Sequence, residues 1–201
     1  MKKVVIGISG ASGVILGIRL LEQLQYRAET HLILTDTAQK IVTHETGYSI
    51  DAVQKLADYS YCNNDFFASV ASGSFFFDSM VIVPCSIKSL SAIAMSYADT
   101  LLVRVADVAM KERRRLVLSV REMPFHEGHL SLMKELAGRG VIICPPVLSF
   151  YNNPRTVDDL INSVIGKIMD LIEIPCDCYK RWQGAKPHFI GEERNLNNSN
   201  V

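Results

Sequence analysis

Short apolar runs alternate along the chain with longer stretches in which apolar residues recur at helical spacing. Residues 3–8 are β-branched and apolar, and Gly7, Gly10, Gly13 and Gly17 punctuate the end of this run and the segment beyond it. Val14, Ile15, Ile18, Leu21 and Leu24 then mark one helix face, and residues 30–34 return to a strand pattern. This is a β-loop-α-β opening. Further strand-like runs cover residues 80–83, 116–120 and 141–144, each apolar enough to be covered on both faces. Past Thr156, with Asp159 three residues on as a capping-box variant, apolar residues recur from Val157 to Ile172. The alternation predicts a single α/β domain, a Rossmann-like (flavodoxin-like) doubly wound parallel sheet, over residues 1–174.

Pro175 ends the last long helix. Residues 175–201 read as a C-terminal arm whose Tyr179, Trp182 and Phe189 need a docking surface, on a neighbouring subunit or on the same one, followed by a frayed polar end.

In such a sheet, ligands sit beyond the carboxyl ends of the strands. Those ends carry Ser9-Gly-Ala-Ser-Gly13, Thr35-Asp36, Pro84-Cys-Ser-Ile-Lys-Ser89, Arg121-Glu122 and Pro145-Pro146. Glycines in the first loop let backbone N–H groups approach an anion, and the second repeats the device with two hydroxyls and Lys88. Neither loop holds the Gly-Lys-Ser/Thr of a nucleotide-triphosphate loop, and G-x-G-x-x-G is absent. No tyrosine is followed by lysine at the short-chain-dehydrogenase spacing, which disfavours nicotinamide chemistry.

Composition narrows the choice. The 201 residues are 48% hydrophobic, enough for one sizeable core. Twenty-one basic and 21 acidic side chains cancel, so a globally basic surface for nucleic acid or lipid is not expected. No apolar stretch is long enough to span a bilayer, no leader pattern precedes the first strand, and the setting expected is cytoplasmic. Five scattered cysteines suit a reducing compartment, and Cys176-Asp-Cys178 lacks the spacing of a metal or redox motif. His126-Glu-Gly-His129 is one residue short of a zincin pattern, so its imidazoles are not expected to share a helical face, and no metal is expected.

One cationic stretch stands out, running from Arg104 through Asp107 and Lys111 to Arg113, Arg114 and Arg115. Arg104, Asp107 and Lys111 share one helix face, and composition alone favours a solvated, salt-bridged surface there. Arg121-Glu122 differs, because it ends a buried strand and is not expected to point simply at bulk water. Phe75-Phe-Phe77 reads as core, with a water-excluding wall as the alternative.

Together these segments resemble one family, the UbiX-type flavin prenyltransferases. The matching stretches are Gly7-Ile-Ser-Gly-Ala-Ser-Gly13, Ser72-Gly-Ser74, Pro84-Cys-Ser-Ile-Lys-Ser-Leu90 and Arg104-Val-Ala-Asp-Val-Ala-Met-Lys-Glu-Arg-Arg114. Val120-Arg-Glu-Met-Pro124, Gly128-His-Leu130, Phe150-Tyr151 with Pro154, and Arg181-Trp-Gln-Gly-Ala185 come next, in family order.

The resemblance implies a metal-independent transferase that joins a dimethylallyl group, from dimethylallyl phosphate, to N5 and C6 of reduced FMN. It implies a homododecamer whose product, prenylated FMN, serves a UbiD-type decarboxylase in ubiquinone synthesis or aromatic-acid decarboxylation. By the same resemblance Gly10, Ala11, Ser12, Thr35, Ser86, Ile87, Lys88, Ser89 and Arg121 would hold the flavin. Tyr151 and Lys167 would bind the substrate phosphate, with Arg104, Lys111 and Arg121 adding positive charge. Glu45, Glu122 and Ser12 would carry the catalysis. Lys167 stands where the family often has arginine, and Thr35 where serine is common. Two rivals remain: a non-catalytic flavin-binding accessory subunit, and a cysteine-decarboxylase-type flavoenzyme, whose Pro-x-Met-Asn-x-x-Met-Trp stretch is missing.

Overall fold

In the computed structural model, which describes residues 1–182 and 184, six parallel strands form one sheet in the order β3-β2-β1-β4-β5-β6. The strands are β1 (Lys2–Ile8), β2 (Ala28–Leu34), β3 (Tyr59–Cys62), β4 (Ser79–Cys85), β5 (Arg115–Val120) and β6 (Ile142–Ile143). Seven helices connect or follow them: α1 (Val14–Leu24), α2 (Asp36–Glu45), α3 (Ile50–Gln54), α4 (Ile87–Ala94), α5 (Leu101–Lys111), α6 (Glu127–Gly138) and α7 (Val157–Leu171). The five strands read from the sequence are all present, and without β3 their order is that of flavodoxin-like sheets. β3 escapes the hydrophobic pattern because it is polar and mostly exposed, a short edge strand held by backbone pairing to β2. The last strand expected, residues 141–144, shortens to two residues.

Alternation along each strand splits the core into two layers. Val4, Ile6 and Ile8 face a cluster closed by α1, α2, α3 and α7. Val5, Ile33, Met80 and Ile82 face the other, closed by α4, α5 and α6. Covering both faces requires helices on both sides, so the connections diverge between β1 and β4: α1 returns over one face and α4 over the other. The crevice left at that divergence is where a doubly wound sheet places its ligand. Gly13 makes the first turn feasible, since its φ of 93° lies in the left-handed region as the chain enters α1. The capping box at α7 forms as its sequence indicates: the Thr156 side chain accepts from the Asp159 N–H, and the Asp159 carboxylate accepts from the Thr156 N–H.

The start of the arm docks on its own chain, with Ile174 and Cys176 buried in the α1/α7 cluster. Residues 183 and 185–201, including Phe189 and the frayed end expected there, lie outside the described residues. Against the sequence expectation, Cys176 and Cys178 form a disulfide, because the arm's turn brings their Cα atoms to 5.4 Å. Among the described residues no helix is long and apolar enough to cross a membrane.

Candidate functional site

The loops after β1 and β4 are tied together by one buried hydroxyl. Ser9 is fully buried; its Oγ donates to the Pro84 carbonyl (2.9 Å) and accepts from the Ser86 N–H (2.8 Å). Backbone bonds extend the ladder past the strand ends, from Ser9 N–H to Pro84 O, Thr35 N–H to Ile8 O and Arg121 N–H to Cys85 O. Four loops therefore hold one rim.

That rim encloses a cleft of about 640 Å³. Gly10, Ala11, Ser12, Thr35, Ser86, Ile87, Lys88, Ser89, Arg121 and Glu122 line it, so the whole flavin-binding set expected from the sequence meets in one place. At its floor α4 begins with Ser86 as N-cap: its Oγ accepts from the Ser89 N–H at 3.2 Å and donates to the Ser89 hydroxyl at 3.1 Å. The N–H groups of that first turn, with the helix dipole behind them, suit an anion. Thr35 caps α2 in the same way by accepting from the Ala38 N–H, which leaves its hydroxyl proton to donate.

Three lining residues carried no sequence signal. Asn63 accepts from the Leu101 and Leu102 N–H groups through its backbone and side-chain oxygens, and so holds the N-terminus of α5 at the cleft. Thr37 and Thr100 add hydroxyls. Ser9 was part of a recognised loop, but its coupling role depends on β4 lying beside β1, which sequence spacing does not reveal.

Glu45, from the end of α2, reaches the first turn of α1 and accepts from the Gly13 N–H at 2.8 Å. Burial pushes its carboxyl up, yet hydrogen bonds from the Ser12 side chain and the Gly13 and Val14 N–H groups, with the charge of Arg121, outweigh burial and hold it below the ordinary value. Glu45, Ser12 and Arg121 thus form one electrostatic unit. Arg121 itself is exposed at the mouth of the cleft, so leaving a buried strand did not bury it. Its neighbour Glu122 is half-buried and accepts from the Met123 N–H.

Tyr151 and Lys167 lie elsewhere. They share a second cleft, of about 310 Å³, with Cys144, Ser163 and Tyr179. Arg104 and Lys111 line neither cleft. Arg104 donates to the Ala71 carbonyl and pairs with Asp107 at 3.0 Å, while Lys111 pairs with Glu112 instead of Asp107. Lys111 lies ten residues beyond the cleft end of α5, ~15 Å along the axis. Within one chain, α5 therefore brings neither cation to the lining of either cleft.

Two other expectations are corrected or narrowed. Phe77 is core and Phe75 packs edge-on against His31, so the phenylalanine run is not a wall of the cleft. The His126 and His129 rings approach to 3.6 Å, because His126 caps α6 from outside the helix instead of riding on its face. Burial pushes the Cys85 thiol up to about 12, which removes it from thiolate chemistry. Among the described residues no group of three or more His, Cys, Asp or Glu side chains could hold a metal ion.

The flavoprotein family matches residues 1–169. The flavin prenyltransferase UbiX of Escherichia coli strain K12 is 50% identical over 189 residues, spanning 92% of this chain and all of that one. Among solved structures, AnUbiX in complex with FMN and dimethylallyl pyrophosphate superposes with a TM-score of 0.90 at 42% identity, over 92% of this chain and 99% of that one. A dodecameric FMN-dependent UbiX-like decarboxylase from Escherichia coli O157:H7 gives 0.89 at 42% identity, over 90% and 100%. The chain belongs to the flavoprotein family and, within it, to the UbiX flavin prenyltransferases.

The rim yields two testable outcomes. Ser9→Ala removes the partner of the half-buried Ser86 N–H and should cost about 1 kcal/mol in denaturant unfolding, with weaker FMN binding; unchanged stability and affinity would remove Ser9 from this role. Glu45 should titrate below 4.5 by carbon NMR. Because its folded value is depressed, its bonds stabilise the fold above that pH and are lost as pH falls through the folded value. Ser12→Ala should move the midpoint upward.

Proposed function

We propose that this member of the UbiX flavin prenyltransferases is an enzyme that transfers a dimethylallyl group from dimethylallyl phosphate to reduced FMN. Its product, prenylated FMN, would serve a UbiD-type decarboxylase. The observation that carries the reading is the single rim on which the flavin-binding set converges around an anion-ready helix N-terminus.

The residues present fit FMN. The remaining N–H groups at the start of α4 and the Ser89 and Thr35 hydroxyls offer donors for its phosphate, and the cleft volume lies within the usual range for small-molecule sites. Reduced FMN supplies the electron-rich ring atoms that accept the prenyl group.

Everything else falls to the chain. Departure of a phosphate from an allylic carbon leaves charge on both fragments, so cations and oriented donors must stabilise the leaving group. Arg121 is placed for that at the cleft mouth, and Tyr151 and Lys167 would grip the phosphate from the second cleft. Lys167 keeps the charge of an arginine without its bidentate fork. Glu122 would protonate the departing phosphate. Glu45, held ionised by Ser12 and the α1 N-terminus, suits accepting a proton, and Ser12 can relay it.

Arg104 and Lys111, which line neither cleft of their own chain, would act on the phosphate of an adjacent copy. That assigns a homo-oligomer, such as the dodecamer formed by the E. coli relative. Residues 175–201 would work as an arm appended to the 1–174 domain. We place the enzyme in the cytoplasm. The cysteine-decarboxylase reading lacks its characteristic stretch.

Incubating the pure chain with reduced FMN and dimethylallyl phosphate should give the mass of prenylated FMN. Glu122→Gln should slow its formation by about 10²–10⁴-fold. Flavin bound without product would favour the accessory-subunit alternative, and full activity in Glu122→Gln would overturn the acid assignment.

A further inference from the structure

The described part of the arm is fastened by one carboxylate. Asp170, in the last turn of α7, accepts from the Tyr179 hydroxyl at 2.7 Å and from both terminal nitrogens of Arg181 at 2.8 and 2.6 Å. Arg181 also lies over the Tyr179 ring, 5.1 Å from its centroid, and donates to its hydroxyl at 3.1 Å. Beneath that ring sits Gly166. A Cβ there would fall 1.9 Å from a Tyr179 ring carbon, so the ring rests on the helix only because residue 166 has no side chain. The Arg181 guanidinium first, with the Tyr179 hydroxyl assisting, holds the Asp170 carboxyl below its ordinary value against the opposing effect of burial.

This fastening bears on the second cleft. Tyr179 forms part of its wall beside Lys167 and Tyr151. Trp182, the next aromatic along the arm, meets the Tyr151 ring edge-on at 5.8 Å. Lys167 comes directly after Gly166 and precedes Asp170 by three residues, so it sits on the turn that the Tyr179 ring covers. Tyr151 comes from a loop and Lys167 from a helix. The arm spans the two, and Asp170 holds the arm.

We infer that Asp170 is a positioning residue: it locks Tyr179 and Trp182 in place, and through them sets Tyr151 beside Lys167 as a preformed subsite for the substrate phosphate. The inference rests on the reading of that cleft as the phosphate subsite. A group that preorganises a binding pair lowers the cost of ordering it, so its loss weakens affinity. It touches no reacting atom, so the rate at saturation is largely spared.

Full-length protein carrying Asp170→Asn or, separately, Tyr179→Phe gives the test, with inorganic phosphate as the binding probe in equilibrium dialysis. Trp182 is the only tryptophan of the chain, so its time-resolved anisotropy reports arm docking directly. In Asp170→Asn a nanosecond local rotation of Trp182 should appear. Phosphate should bind at least tenfold more weakly, and KM for dimethylallyl phosphate should rise by a similar factor. FMN affinity and the saturated rate should stay within about threefold, a split that general destabilisation would not give. Tyr179→Phe should show the same split in milder form, which covers the case of a misfolded Asp170→Asn.

Phosphate affinity unchanged within twofold in both variants would overturn the proposal, as would parallel loss of phosphate and FMN binding in both. Lys167→Gln separates the two levels. If it binds phosphate as well as the parent, the phosphate-subsite reading fails and the proposal with it. If it alone loses phosphate, the reading stands and the role of Asp170 does not.

Discussion

The fold turns on the divergence between β1 and β4, and on the buried Ser9 hydroxyl that bridges it. Two parallel strands whose connections leave over opposite faces cannot close their own crevice. Something must hold the two departing loops in register. Ser9 does so by committing both hydrogen-bonding capacities of one hydroxyl to the β4 loop, in a place no water can reach. Breaking such a contact leaves the Ser86 N–H and the Pro84 carbonyl without this partner, which is what makes it a constraint on geometry. That fixed rim places the rest: the start of α4 faces the cleft, Arg121 and Glu122 leave β5 beside it, and Glu45 arrives from α2 to cap α1.

Charge is distributed with the same economy. The basic stretch of α5 and the turn after it is mostly engaged in holding structure together. Arg104 binds the Ala71 carbonyl and Asp107, Arg114 binds the Gly73 and Phe75 carbonyls, and Arg115 pairs with Glu173. Exposed pairs of this kind contribute about 0–1 kcal/mol each and serve mainly to fix loops. Arg121 and Lys88 are the cations that line the first cleft, and the charge of Arg121 helps hold the Glu45 carboxyl below its ordinary value. A chain with no net charge thus concentrates functional charge by position instead of by number.

Local pattern made the sheet legible. Buried parallel strands must be apolar, so β1, β2, β4 and β5 announce themselves, and the glycine and serine loops mark their carboxyl ends. The residues expected to hold the flavin were readable as the lining of one cleft for that reason, since they lie within one loop of a strand. What stayed hidden depends on the third dimension. β3 is polar because it is an edge strand whose side chains are mostly exposed. Asn63 holds α5 from a loop almost forty residues upstream in sequence. Tyr151 and Lys167 were named by resemblance, but their separation from the first cleft, and the placing of Tyr179 beside them, emerge only when the arm is folded onto α7. The displacement of Arg104 and Lys111 from both clefts has the same origin, because helical spacing fixes a shared face without saying where that face points.

The central claim is that the N-terminus of α4, set in place by the Ser9 bridge, holds the phosphate of FMN. Titrating FMN into Ser86→Asp and following flavin fluorescence tests it most directly. Aspartate caps helices as well as serine does, so the fold should survive with its unfolding midpoint unchanged. Its negative charge would sit where the phosphate is proposed to bind. The account predicts one FMN bound per chain in the parent and binding weakened at least a hundredfold in Ser86→Asp. Equal affinity in the two proteins would contradict it.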